Sequence, residues 1–197
     1  LLEQALVGLL GQTRLPDEVF VVDDGSEDDT ARVVADYGDS VGYLAKANGG
    51  KASALNAGLA QVSSDYVWVF DDDDWPLPDA LEQLIETVET TSENAFVYSG
   101  CFTFSGSDIP YSFDETTYRP PVWAEEGELF LRALESFPFH QNGMLVPLAC
   151  YRKLGGYCER LGRGQDYNMI LRLCREFSGV RLNRPTFALR EHAGVRG

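Results

Sequence analysis

Val67-Trp68-Val69-Phe70-Asp71-Asp72-Asp73-Asp74-Trp75 is the stretch that decides how this chain is read. Its β-branched and aromatic residues make an apolar run just long enough for a buried strand, and the run stops on four consecutive carboxylates. In an open α/β sheet, ligands collect beyond the carboxyl ends of the strands, so the acidic cluster stands where binding chemistry is expected. Adjacent like charges repel one another, and a divalent cation with oxygen ligands relieves the repulsion. A metal site is therefore the leading expectation. The plain alternative is a solvated loop that leads through Pro76 and Pro78 into the next helix.

Upstream, Leu1, Leu2, Ala5, Leu6, Leu9 and Leu10 share one helical face that Gly11 ends. Val19 to Val22 is a short continuous apolar run of the kind covered on both faces in a parallel sheet. It ends in Asp23-Asp24-Gly25-Ser26, and Ser26 followed by Asp29 suggests a capping arrangement for a helix with Ala31, Val33, Val34 and Tyr37 on its apolar face. The loop Ala45 to Lys51 runs into a helix from Ala52 to Leu59. Downstream, Leu81, Leu84, Ile85 and Val88 repeat at helical spacing, and Phe96 to Ser99 and Phe102 to Phe104 look like two strands separated by Gly100. Residues 105–122 hold Gly, Pro, Asp and aromatics without a period, which predicts an irregular segment or flap. A helix around Leu129 to Phe137, a strand over Gly143 to Val146, a short helix closed by Gly155-Gly156, an amphipathic helix after Gln165-Asp166 and a strand at Val180 to Leu182 complete the chain.

Alternating strands and helices followed by a less regular half predict one α/β domain, with residues 1–100 as a nucleotide-binding half and 101–197 as an acceptor and catalytic half. The formal net charge of −15 argues against nucleic acid or an anionic membrane as partner, because both are bound through Lys and Arg patches. Cys101, Cys150, Cys158 and Cys174 have no C-x-x-C spacing, so reduced core thiols are expected. With no apolar run of membrane-spanning length and no leader pattern at Leu1, the expectation is a cytoplasmic protein. No G-x-G-x-x-G follows the first strand, and Gly50-Lys51 lacks the first Gly and the Ser or Thr of a P-loop.

Val21-Val22-Asp23-Asp24-Gly25-Ser26, Asn48-Gly49-Gly50-Lys51 with Ala54-Leu55-Asn56, Phe70 to Trp75, Gly155-Gly156-Tyr157 and Gly164-Gln165-Asp166 follow one another over nearly the whole chain. In that order and spacing, the sequence resembles a family-2 glycosyltransferase of the GT-A fold, which implies a mostly parallel sheet flanked by helices. The family begins with a strand that this sequence lacks ahead of its first helix. Losing such a strand would leave two apolar strands against water, so the expectation is that it lies outside these 197 residues.

The resemblance implies a role for each matching residue. Asp24 would accept from the base of the donor, Asp23 would support the turn, and Lys51 would face the nucleotide or diphosphate. Asp71-x-Asp73 matches the family's D-x-D motif. Asp71 and Asp72 would lie by the donor sugar nucleotide, Asp71 near the metal as well, and Asp73, flanked by Asp74, would be the main ligand of Mn²⁺ or Mg²⁺, helped by His192. Asp166 matches the catalytic base of an inverting displacement, with Gln165 standing where the family usually has Glu. Arg190 is a candidate phosphate contact and His140 a structural or acceptor-side residue. Trp75, Tyr111, Tyr118 and Trp123 are candidates for a sugar-stacking wall. The implied activity is metal-dependent, inverting transfer from a nucleotide sugar, UDP-linked, to a saccharide, lipid or other hydroxyl acceptor. A sugar-phosphate nucleotidyltransferase and a nucleotide-sugar binding protein without turnover are the alternatives. Neither is a bare composition argument: the acidic turn at Asp23 opposes the first, and Gln165 favours the second.

Overall fold

The computed structural model of the chain describes residues 1–91, 94–125 and 127–192. In order, its elements are α1 (Leu2–Leu10), β1 (Phe20–Asp23), α2 (Thr30–Ala35), β2 (Gly42–Ala45), α3 (Lys51–Gln61), β3 (Tyr66–Val67), β4 (Trp75–Pro76), α4 (Ala80–Glu89), β5 (Phe96–Ser105), β6 (Tyr118–Arg119), α5 (Leu129–Glu135), β7 (Met144–Pro147), α6 (Leu148–Leu154), α7 (Gln165–Glu176) and β8 (Gly179–Glu191).

The strands form two groups. β1 and β2 are parallel, with Val21 opposite Tyr43 and Asp23 opposite Ala45, and α2 supplies the crossover that a parallel pair needs. The other sheet has the order β3-β7-β5-β8-β4, with β6 added to β5. Only β5 and β8 are parallel there, and the β3–β7, β5–β7, β4–β8 and β5–β6 pairs are antiparallel. The sheet is therefore mixed, and the parallel character expected of the whole belongs to β1–β2 and β5–β8.

Several expected elements change on folding. The apolar run at Val67 is laddered only over Tyr66–Val67, and Trp68 to Phe70 continue outside the ladder toward the acidic turn. Its side chains are nevertheless packed, Trp68 edge-on to Phe70 at 5.2 Å and Phe70 edge-on to Phe187 at 6.3 Å. Gly100 does not divide two strands. It lies within β5 at a register irregularity, where a Cβ would come within 2.5 Å of the Arg119 carbonyl, so the absent side chain admits β6. Phe113 stacks on Phe102 at 5.3 Å and anchors part of the irregular segment to that strand. The Val180 strand runs on for 13 residues and carries Arg190 to the acidic turn. Ser26 does not cap α2; its N–H donates to Asp23 instead.

The helical faces are buried as their spacing predicts. Leu81, Leu84, Ile85 and Val88 of α4 pack on Val97 and Leu145, while Met169, Ile170 and Leu173 of α7 join Phe96, Tyr98 and Tyr151. Each fully buried large aliphatic side chain contributes about 1.5–3 kcal/mol. A separate cluster of Leu6, Val34 and Val41 underlies β1.

A cleft of about 1460 Å³ opens between the two groups of strands. Residues 19–22 line one wall and residues 66–69 the other. β1 pairs with β2 and β3 with β7, and among the described residues nothing ladders onto their other edges. Val21, Val22, Val67 and Val69 are accordingly only half-buried, although their run of apolar character is that of covered strands.

Candidate active site

The carboxyl ends of β1 and of the Val67 run bring two acidic turns to the upper part of the cleft. Asp23, Asp24, Lys51, Asp71, Asp72, Asp73 and His192 all line it. The candidate donor-site residues, separated by up to 169 positions in sequence (His192 against Asp23), thus share one space.

Asp23 is buried and accepts from the Tyr43 hydroxyl at 2.5 Å and the Ser26 N–H at 2.7 Å, and these bonds lower its carboxyl below the ordinary value. Asp24 accepts from Lys46 Nζ at 2.6 Å, Gly50 N–H at 2.7 Å and Gly49 N–H at 3.0 Å. Desolvation opposes its charge, but Lys46 and the two amides outweigh it and hold the carboxyl low. Both oxygens of Asp24 are therefore engaged in shaping the 46–50 loop. Lys51, the first residue of α3, places Nζ 2.6 Å from Asp71 Oδ1.

The four adjacent aspartates have four different surroundings. Asp71 is half-buried, pairs with Lys51 and donates its N–H to Asn142 Oδ1 at 3.2 Å. Asp72 is exposed, yet desolvation at the cleft wall, followed by the charges of Asp73 and Asp71, pushes its carboxyl up. Asp73 Oδ2 lies 2.7 Å from His192 Nε2. Asp74 is 2% exposed and accepts from Asn142 Nδ2 at 2.6 Å and the Arg190 N–H at 2.7 Å.

Arg190 is buried rather than presented to a phosphate. Its Nε donates to the Asp73 carbonyl at 2.8 Å, one Nη to Gln4 Oε1 at 2.8 Å and the other to the Gly106 carbonyl, and its guanidinium lies 4.6 Å over the Phe104 ring. His140 lies nearer the cluster than a merely structural residue: one ligand atom each from Asp71, Asp74 and His140 fall within 4.8 Å of one another. This group stands beside the expected Asp73–His192 pair.

Asp166 is the second residue of α7, and its Oδ1 accepts the Tyr167 N–H at 2.7 Å. A carboxylate in the first turn is favoured by the helix dipole. The Tyr157 phenol is buried. It donates to Gln141 at 2.9 Å, and burial first, then Tyr151 and the charges of Asp71 and Asp166, push it well above its ordinary value. Phe137 makes ring contacts to Tyr167, the neighbour of Asp166, at 5.6 Å and to His140 at 6.3 Å. Beside Asp166, Gln165 Oε1 is buried without a hydrogen-bond partner among the described residues.

The four aromatics proposed as a stacking wall separate. Trp75 pairs with Ala188 and lies against α1 at Gly8, Tyr118 packs on Phe102, and Tyr111 and Trp123 are exposed. Lys46, Asn142 and the structural role of Arg190 are absent from the sequence-derived site. The only local signal for Asn142 is the polar triplet His140-Gln141-Asn142 between apolar segments.

Three cysteines are buried, Cys158 is half-buried, and all four are free. Among the described residues no helix is long and apolar enough to cross a membrane.

The chain is similar to several known glycosyltransferases. An uncharacterized glycosyltransferase of Rickettsia typhi is 28% identical over 175 residues, which are 88% of this chain and 54% of that protein, so the chain spans about half the length of this relative. Staphylococcus aureus TarS 1-349, solved in complex with UDP, superposes with a TM-score of 0.76 at 18% identity, covering 96% of this chain and 56% of that one. A mannosyltransferase of Pyrobaculum calidifontis, solved with GDP-Man and Mn²⁺, gives 0.64 at 20% identity, covering all of this chain and 54% of that one. The fold is thus the α/β arrangement of GT-A glycosyltransferases. The family described as Glycosyl transferase family 2 matches residues 1–145, and the chain belongs to it.

Proposed function

We propose that this domain transfers a sugar from a nucleotide diphosphate donor, UDP-linked, to a hydroxyl acceptor, with inversion and with the help of Mn²⁺ or Mg²⁺. The observation that carries the proposal is the convergence of Asp23, Asp24, Lys51, Asp71, Asp72 and Asp73 on one cleft. Residues 1–100 form the donor half of the domain and 101–197 the acceptor half, which takes a saccharide, lipid or other hydroxyl compound.

The residues present suit a divalent cation. Asp71 and Asp73 are half-buried carboxylates on the cleft wall, Asp72 crowds them, and His192 adds an imidazole. Hard oxygens with one nitrogen are an acceptable set for Mn²⁺. Asp71, Asp73 and His192 would hold the cation, which would supply positive charge against the negative charge that grows on the diphosphate leaving group. Lys51, now on Asp71, is the nearby protein cation for the same phosphates. Asp24 shapes the wall on the base side through the 46–50 loop, and Asp23 through Tyr43 and the Ser26 turn.

Asp166 acts as general base, taking the proton of the acceptor hydroxyl as its oxygen attacks the anomeric carbon and the nucleoside diphosphate departs. Its place in the first turn of α7, where the helix dipole favours a carboxylate, supports this role. Free, largely buried thiols and the acidic surface are compatible with a cytoplasmic setting.

Calorimetric titration with UDP, and with GDP for comparison, tests the donor site in Mn²⁺ and in excess chelator. UDP is expected to bind only with the ion, and Asp73→Ala to abolish binding. Asp166→Asn is expected to stop transfer while UDP affinity stays within about threefold, well under the 1.4 kcal/mol of a tenfold change. Binding of neither nucleotide would overturn the proposal. UDP-sugar binding without transfer or hydrolysis across many acceptors would favour the binding protein that Gln165 suggests.

A further inference from the structure

Asn142 is fully buried, with its carboxamide spanning the two ends of the acidic turn. Oδ1 accepts the Asp71 N–H at 3.2 Å and Nδ2 donates to Asp74 Oδ2 at 2.6 Å. The backbone of the same residue is tied to the strand that leads into the turn, because its carbonyl accepts the Trp68 indole N–H at 2.6 Å. Its N–H donates to His140 Nδ1 at 3.3 Å. The other Asp74 oxygen accepts the Arg190 N–H, which comes from the end of β8. A carboxylate this deeply buried is tolerated only when donors surround it, and here they come from two other parts of the fold.

We infer that Asp74 and Asn142 form a positioning strut that sets the direction of Asp71 and Asp73, and that Asp74 is not itself a cation ligand although it is one of the four aspartates. The inference rests on the proposed function, in which Asp71 and Asp73 face the cation and the donor. Both Asp74 oxygens already serve the turn. His140 Nδ1 already accepts the Asn142 N–H, so that ring nitrogen is committed to the same hydrogen-bonded group. The Asp71, Asp74 and His140 group is thus a hydrogen-bonded support for the site.

A charge swap separates a strut from a ligand. In Asp74→Asn alone, the new amide faces the Asn142 amide with donor against donor. In Asn142→Asp alone, two carboxylates face each other across 2.6 Å. In the double variant every bond can be remade. The new amide at position 74 accepts from the Arg190 N–H and donates to the new carboxylate at position 142, whose other oxygen accepts the Asp71 N–H.

Each single variant is expected to weaken Mn²⁺-dependent UDP binding by about 10- to 100-fold, the usual cost of losing a group that orients metal ligands. The double variant is expected to return to within about threefold of native, a difference below 1.4 kcal/mol. Denaturant stability in chelator and hydrogen exchange of the Asp71 amide should follow the same order, lowered or less protected in the singles and restored in the swap. Native-like binding in both singles would overturn the strut. So would a swap that regains stability and amide protection but not UDP binding, because the carboxylate would then be needed at position 74 itself. If the native protein fails to bind UDP, the proposed function falls alone. Stability and exchange then decide whether the pair is a strut: restoration in the swap supports it, and no restoration overturns it.

Discussion

Replacing Arg190 with alanine tests whether the acidic turn is held from the end of β8. The guanidinium donates to the Asp73 and Gly106 carbonyls and to Gln4, and it covers the Phe104 ring. The substitution leaves the bond from the backbone N–H of residue 190 to Asp74 in place, so only side-chain interactions are lost. Hydrogen bonds from a charged donor are worth about 1.5–3 kcal/mol each but are not additive within one network. Removing one member of a buried charged network costs about 3–5 kcal/mol, the range expected here. For a chain of this size 1 kcal/mol shifts Tm by about 2–4 °C, so Tm should fall by roughly 6–20 °C. Urea unfolding followed by tryptophan fluorescence gives the free energy, and calorimetry in Mn²⁺ gives the UDP affinity, which should also weaken because the Asp73 carbonyl loses its anchor. Arg190→Lys should recover only part of the loss, since an ammonium cannot reach partners in the fork geometry of a guanidinium. A change of less than about 0.5 kcal/mol in Arg190→Ala, the ordinary effect of an uninvolved surface residue, would refute the argument.

Asp72→Asn should stabilise the ion-free protein at neutral pH. A carboxyl whose folded value is raised favours folding most when protonated, so its contribution declines as pH climbs from the ordinary value of 3.8 through the raised one. The advantage of the variant should therefore vanish below about pH 3.8, and thermal unfolding across pH measures it. Saturating Mn²⁺ should reduce the advantage by neutralising the repulsion. Gly156→Ala should destabilise the chain by about 1–3 kcal/mol, because position 156 has a φ of +74° and a Cβ would sit 2.5 Å from Asn56 Oδ1, the acceptor of the Tyr157 N–H. Unfolding within about 0.5 kcal/mol of native would show that the local backbone relaxes instead.

The sequence by itself determined the elements whose signals are local. Helical spacing located the buried face of α4 and the body of α7, and the turn chemistry after Val22 and Phe70 located both acidic ends of the cleft. Order and spacing of short motifs identified the family and brought forward seven of the residues that line the cleft. Tertiary structure decided what each carboxylate does. Four adjacent aspartates are equivalent in sequence, but one meets Lys51, one is crowded by its neighbours, one meets His192 and one is sealed between Asn142 and Arg190. Those partners come from 20, 119, 68 and 116 residues away. Periodicity and propensity report interactions within a turn or two of the chain, whereas burial and hydrogen bonding depend on strand order. The mixed sheet, the length of β8 and the internal role of Arg190 became visible only when the strands were paired.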